Sequence, residues 1–199
     1  MDQNINNLTA EQIGIIFPIE IEPYRAQWET LYRNEEKLIA HALGNLFEIN
    51  IEHFGSTSVK GLSAKPVIDI LIEIPLLTNE TKMIIAAKLR EIDYENMHNA
   101  EREKQMTFGK GYDFLHPCKQ KFHLHVREKG DDFQDEIYFR DYLRQNSDAL
   151  KKYELLKTDL AIKHKNNREE YTKAKTDFIT TVTQTAKKIT VPTKQTFVD

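Results

Sequence analysis

One stretch of this chain, Glu52 to Glu73, restricts its possible folds more than any other. An alternating apolar run ends at His53 and Phe54, a Gly/Ser/Thr-rich loop carries Lys60 and Lys65, and a second run opens at Val67. In that second run Ile68, Ile70, Ile72 and Ile74 share one face, while Val67, Asp69, Leu71 and Glu73 share the other, which is the period of a strand. A carboxylate at Asp69, set among β-branched residues, is costly to bury without a partner. The loop before it offers partners, or a place for a ligand that needs both. Gly55 lets the backbone come close to a bound group, and Ser56, Thr57 and Ser58 supply hydroxyls and backbone N–H groups of the kind that cradle phosphate oxygens. Against that stands a purely structural Asp69, capping the N–H groups of the Gly55 loop or pairing with Lys65.

The rest of the chain reads as mixed. Residues 1–16 have no clear period and are expected to form a flexible N-terminal arm, and Pro18 to Glu22 a short strand. From Tyr24 to Leu43 the pattern is helical, with Trp28, Leu31, Tyr32, Leu38, Ile39, Ala42 and Leu43 on one stripe and Gly44 at its end. Phe47, Ile49, Ile51 and His53 alternate as a half-buried strand, and Glu80 to Glu91 suggests a helix with Met83, Ile84 and Ala87 inward. Residues 93–105 are polar and read as loop, Met106 to Tyr112 as a weak strand or turn, and Lys121 to Arg127 as a strand. After Gly130 the pattern is helical: Phe133 to Arg144, a second helix capped by Ser147, and a last one behind Asn167 with Tyr171, Ala174, Phe178, Val182 and Ile189 inward. The expectation is an α+β fold, a mixed sheet with packed helices, in which residues 17–190 form one domain and 131–190 its helical C-terminal part.

Two further groups bear chemistry. His123 and His125 are two apart, so both imidazoles face the same way on their strand. If that strand neighbours the Val67 strand, Asp69, His123 and His125 make an open three-ligand metal site or a general-base cluster. The plainer alternative is a pair of histidines on a solvated sheet face. Arg140 and Arg144 share a helix face that can clamp a phosphate or carboxylate, or serve as a salt-bridged face. The net charge of -3 over 199 residues gives no reason to expect nucleic acid. The single cysteine, Cys118, suits a reducing compartment. No apolar run approaches the roughly 18 residues of a membrane span, and the start lacks a signal-peptide pattern, so a cytoplasmic protein with no membrane partner is expected.

The segment Gly55-Ser56-Thr57-Ser58-Val59, then Gly61-Leu62 and Ala64-Lys65-Pro66-Val67-Ile68-Asp69-Ile70, resembles the signature of the GrpB family. The resemblance continues in Phe122 to Val126, Phe139 to Arg144 and Tyr171 to Lys175, and covers roughly residues 18 to 180. It implies a nucleotidyltransferase-like fold, in which a Gly-Ser pair holds a triphosphate and two carboxylates at i, i+2 hold magnesium. Gly55, Ser56 and Asp69 match that pattern. Leu71 does not: it stands where the second carboxylate belongs, and Glu73 lies about 13 Å from Asp69 along the strand. The implied function is binding of a nucleotide or another phosphorylated small molecule at the loop, with nucleotidyl transfer as the activity. The implied cofactor is a divalent ion, magnesium or manganese, with zinc the weaker candidate. Leu71 favours the alternative of a catalytically silent binding module, an idea that fits the family's occurrence joined to dephospho-coenzyme A kinase.

Overall fold

Burying the isoleucine face of the Val67 run decides where the core lies. The computed structural model describes residues 8–97, 104–112, 120–130 and 134–190. Its strands are β1 (Asn50–Phe54), β2 (Val67–Ile74), β3 (Glu95–Asn96), β4 (Gln105–Lys110) and β5 (Lys121–Glu128). Its helices are α1 (Ala10–Ile16), α2 (Gln27–Leu43), α3 (Asn79–Arg90), α4 (Gln134–Gln145), α5 (Ser147–Lys163), α6 (Arg168–Lys173) and α7 (Thr176–Thr190). The strands form one sheet in the order β1-β2-β5-β4-β3. β2 pairs antiparallel with β1 and parallel with β5, and β4 pairs antiparallel with β5 and β3.

Ile68, Ile70, Ile72 and Ile74 are fully buried on one face of β2. They pack with Trp28, Tyr32, Ile39 and Leu43 of α2, Ile85 and Leu89 of α3, and Leu124 and Val126 of β5. Each such side chain stabilises the fold by about 1.5–3 kcal/mol relative to exposure. The opposite face is used differently. Leu71 packs there with Phe54 under Ile137 of α4, while Asp69 is left half-buried at the end of the strand nearer the Gly55 loop. No helix among the described residues is long and apolar enough to cross a membrane.

Several local expectations change. Part of the segment expected as an arm is helix α1, whose first turn is closed by a capping box between Thr9 and Gln12. α1 sits so close to the chain after α5 that a Cβ on Gly14 would lie 1.8 Å from the Asn166 carbonyl oxygen. Pro18 to Glu22 forms no strand, only a bridge between Glu22 and Ala64. On α3 the inward residues are Ile85 and Leu89, while Met83, Ile84 and Ala87 are exposed; the run from Met83 to Ala87 is apolar all round, so periodicity could not choose a face. Leu38 is likewise exposed. Asn146, not Ser147, caps α5 by accepting from the Ala149 N–H at 2.9 Å. The last helix is broken after Lys173 into α6 and α7, which leaves Ala174 and Ile189 exposed. The polar stretch 93–105 contains β3 and the first residue of β4. Cys118, Phe133 and residues 191–199 lie outside the described residues.

Candidate functional site

Parallel pairing puts Asp69 of β2 directly opposite His123 of β5, and Leu71 opposite His125. Because side chains alternate across a strand, Asp69, His123 and His125 therefore share one sheet face. Their ligand atoms lie within 4.8 Å of one another. His123 Nδ1 is 3.6 Å from Asp69 Oδ1 and 3.2 Å from His125 Nε2. Burial pushes the Asp69 carboxyl up, but the hydrogen bond and charge of His123, with His125 and Lys65 behind them, outweigh it and hold the group below its ordinary value. Burial, helped by His123, lowers His125 to about 3, so its imidazole is neutral at physiological pH, the state a metal ligand needs. One carboxylate oxygen and two imidazole nitrogens thus converge on one point, with Phe54 edge-on to His125 at 5.2 Å.

The Gly55 loop lies against this cluster. Gly55 adopts φ 68, and a Cβ there would fall 2.3 Å from Asp69 Oδ2, so only glycine admits both the conformation and the contact. The loop hydroxyls divide by role. Thr57 donates to the Val67 carbonyl at 3.1 Å and therefore accepts at 3.2 Å from His53 Nε2, a buried ring stacked on Tyr32. Ser58 donates to the Gly55 carbonyl at 2.7 Å. These two brace the turn from inside, and neither hydroxyl is free for a phosphate. Ser56 instead lines the cleft beside the cluster, as does Tyr153.

Arg140 and Arg144 brace the same loop from the α4 side rather than clamping a ligand. Arg140 is buried, donates to Glu52 at 2.7 Å and the His53 carbonyl at 2.8 Å, and pairs with Asp141 at 2.8 Å. Arg144 donates to the Ser58 carbonyl at 2.9 Å and pairs with Asp141 at 3.4 Å. Asp141 thus bonds within its own helix, not to another one.

Lys65, Lys157, Lys173, Lys175 and Arg168 line the cleft, with Glu169 among them. Arg168 is engaged by the Phe17 carbonyl at 3.0 Å. Of the three lysines that turn furthest inward, the sequence motifs hold Lys65 and Lys175 but not Lys157. A cleft of about 1120 Å³ is lined by the triad, Gly55, Ser56, Lys65, Lys157 and Lys175. Lys65 comes from the loop before β2, Lys157 from α5, and Lys175 from the break between α6 and α7. Lys65 and Lys175 lie over the Tyr171 ring at 5.4 and 4.3 Å. Lys157 donates to the Ser63 carbonyl at 2.5 Å and lies over Tyr153 at 4.8 Å. Among the described residues, no carboxylate comes within ion-pairing distance of any of the three. Burial and mutual repulsion lower Lys157 to about 7, and burial lowers Lys65 and Lys175 to about 8, Lys175 also through the charge of Lys65. Lys157 on an otherwise polar helix position gave no signal in the sequence. Lys175 did belong to the Tyr171 to Lys175 motif, but the helix break that turns it inward was not foreseeable from periodicity.

A mixed sheet with helices packed on it in this way is found among solved folds of nucleotidyltransferase type. The protein resembles a Cid1 poly(U) polymerase chain at TM-score 0.50 and 10% identity, over 72% of this chain and 43% of that one, a likeness of fold alone. It resembles the GrpB protein of Enterococcus faecalis at TM-score 0.74 and 27% identity, over 85% of this chain and 98% of that one. The family model described as GrpB protein matches residues 18–185. The chain belongs to the GrpB family. Among its relatives, the glutamate-rich protein GrpB of Alkalihalophilus pseudofirmus is 35% identical over 76% of this chain and 86% of its own length. A UPF0157 protein of Streptomyces coelicolor is 32% identical over 86% and 87%.

Proposed function

We propose that the cleft binds a nucleotide or another phosphorylated small molecule, its phosphates held by Lys65, Lys157, Lys175 and the Gly55–Ser56 backbone, with one divalent ion at Asp69, His123 and His125. The observation that carries this reading is three inward lysines without carboxylate partners, placed around one cleft with an Asp-His-His cluster at its floor. Uncompensated buried cations are unfavourable on their own, and an anion relieves the penalty. The Cid1 poly(U) polymerase of similar fold was solved bound to MgATP, which supports a nucleotide.

The donor set narrows the metal. Magnesium prefers oxygen ligands, whereas imidazole nitrogens suit zinc or iron, so two histidines beside one carboxylate fit zinc better than magnesium, with manganese, itself at home among oxygen ligands, between them. When bound, such an ion would polarise a phosphoryl oxygen or activate a water. Lys157 and Lys175 would neutralise phosphate charge, and Asp69 and the neutral His125 would hold the ion.

A second reading, a binding module without transfer activity, is favoured by Leu71. The position of a second carboxylate is occupied by a side chain 1% exposed and packed against Phe54, so the two-metal arrangement of nucleotidyl transfer has no second oxygen ligand there. A cytoplasmic place of action accompanies both readings. Calorimetric titration with nucleoside triphosphates, with and without magnesium and manganese, tests the binding. Saturable binding strengthened by manganese supports the reading, and no heat with any triphosphate refutes it. Pyrophosphate release on incubation with the same triphosphates separates transfer from silent binding.

A further inference from the structure

On the other side of the Gly55–Ser56 turn lies a second pocket of about 500 Å³, between α4 and α7. Phe54, Gly55, Ser56 and Tyr153 line both this pocket and the lysine cleft, so the two spaces meet across the turn and the Tyr153 ring. Their linings are opposite in character. The second pocket has apolar walls, Phe139 and Ile179, with Thr180 and Gln184 of α7 at its rim. Its charged residues are already paired: Lys187 with Asp135, and Glu136 with Arg127 at 3.8 Å. It offers no cation to a phosphate.

Resting on the proposed function, we infer that this pocket takes the uncharged, flat half of the same ligand, and that the ligand is a nucleotide rather than a simple phosphate ester. The size falls within the roughly 300–1,000 Å³ usual for small-molecule sites. Aromatic walls suit the face of a heterocyclic ring. The Gln184 amide has both donor and acceptor groups for the ring's polar edge, and the Thr180 hydroxyl can serve either way. Ser56 and Tyr153, which line both spaces where they join, stand where the sugar would cross from phosphates to base. The metal cluster is adjacent, because Phe54 lines this pocket and also packs on His125.

Calorimetry on the full chain with manganese at neutral pH, using ATP and inorganic tripolyphosphate as probes, separates the two halves of the ligand. The pocket should make ATP bind about tenfold more tightly than tripolyphosphate, the increment expected of a stacked base. Gln184→Trp and Thr180→Trp fill the pocket from exposed positions on α7, where a larger side chain leaves folding intact. Each should weaken ATP by about tenfold and tripolyphosphate by less than about twofold. ATP and tripolyphosphate binding equally to the wild type would overturn the inference, as would variants that weaken both probes alike or neither. Failure of both ATP and tripolyphosphate to bind the wild type would instead remove the proposed function, and this inference with it.

Discussion

Two sets of cations flank the Gly55–Ser58 turn, and they serve different ends. On the α4 side, buried Arg140 and half-exposed Arg144 are hydrogen-bonded to Glu52, Asp141 and the carbonyls of His53 and Ser58. On the cleft side, Lys65, Lys157 and Lys175 have ring faces and one carbonyl but, among the described residues, no carboxylate within ion-pairing distance. A buried cation with its partners complete is scaffold, and its loss leaves those partners unpaired. A buried cation lacking an anion destabilises the empty protein and is explained by a ligand that carries one. Residue type alone misleads here: guanidinium groups are the usual phosphate forks, yet in this protein they hold backbone.

The largest test of this contrast is Arg140→Met. It should destabilise the protein by about 3 kcal/mol in urea unfolding, because Glu52 and the His53 carbonyl lose their donor inside the fold. Little change would move Arg140 out of the scaffold class. Next is Lys157→Met, which should weaken tripolyphosphate binding by about ten- to a hundredfold while leaving stability equal or about 1 kcal/mol higher. A clear loss of stability in that variant would place Lys157 with the arginines.

A smaller effect is expected from metal. Thermal melts of the wild type should rise with manganese or zinc more than with magnesium, by about 1–3 kcal/mol of stabilisation well above the dissociation constant, and Asp69→Asn should abolish the response. A strong magnesium response would contradict the nitrogen-rich donor set. The smallest effects come from pH. Lys157, at about 7, and Lys65 and Lys175, at about 8, have folded-state values below the ordinary 10.5, so folding disfavours their charged form. That penalty is fully present below pH 7, begins to fade as pH rises past the folded values of about 7 to 8 and is gone only above the ordinary 10.5, so stability without ligand should increase over that range. A bound anion favours the charged form, so tripolyphosphate affinity should fall over the same interval, and calorimetry across pH would reveal a flat profile if the lysines do not touch it. On the acid side, burial lowers His53 to about 4 from 6.5, so unfolded chains take up the proton first and stability should drop as pH falls from 6.5 toward 4. His53→Gln should flatten that part of an acid-denaturation curve.

Much of the sheet and of the Asp69, His123, His125 cluster was legible because both depend on period two. The alternation around Asp69 and the His123, His125 spacing each fix a face, and one assumption, that the two strands are neighbours, brings the three side chains together. The parallel β2–β5 pairing supplies it. The basic wall was legible only in part. Lys65 and Lys175 fall in the motifs, whereas Lys157, placed by α5, and the inward turn of Lys175, placed by the break between α6 and α7, leave no mark in hydrophobic periodicity. The division of labour among Ser56, Thr57 and Ser58 was hidden for a similar reason: three adjacent hydroxyls look alike in sequence, and only the turn decides which one remains available.

The strand order also implies a sequence of events during folding. β1, the glycine turn and β2 are consecutive in the chain, so the hairpin that sets Gly55 onto Asp69 closes a short span at modest entropic cost. His123 and His125 arrive only when β5 docks in parallel beside β2, after the chain has travelled through α3, β3 and β4. The turn is thus expected to assemble before the ion site does. A metal captured by the finished triad would then act late: in stopped-flow experiments it should slow unfolding and leave the initial rate of refolding unchanged.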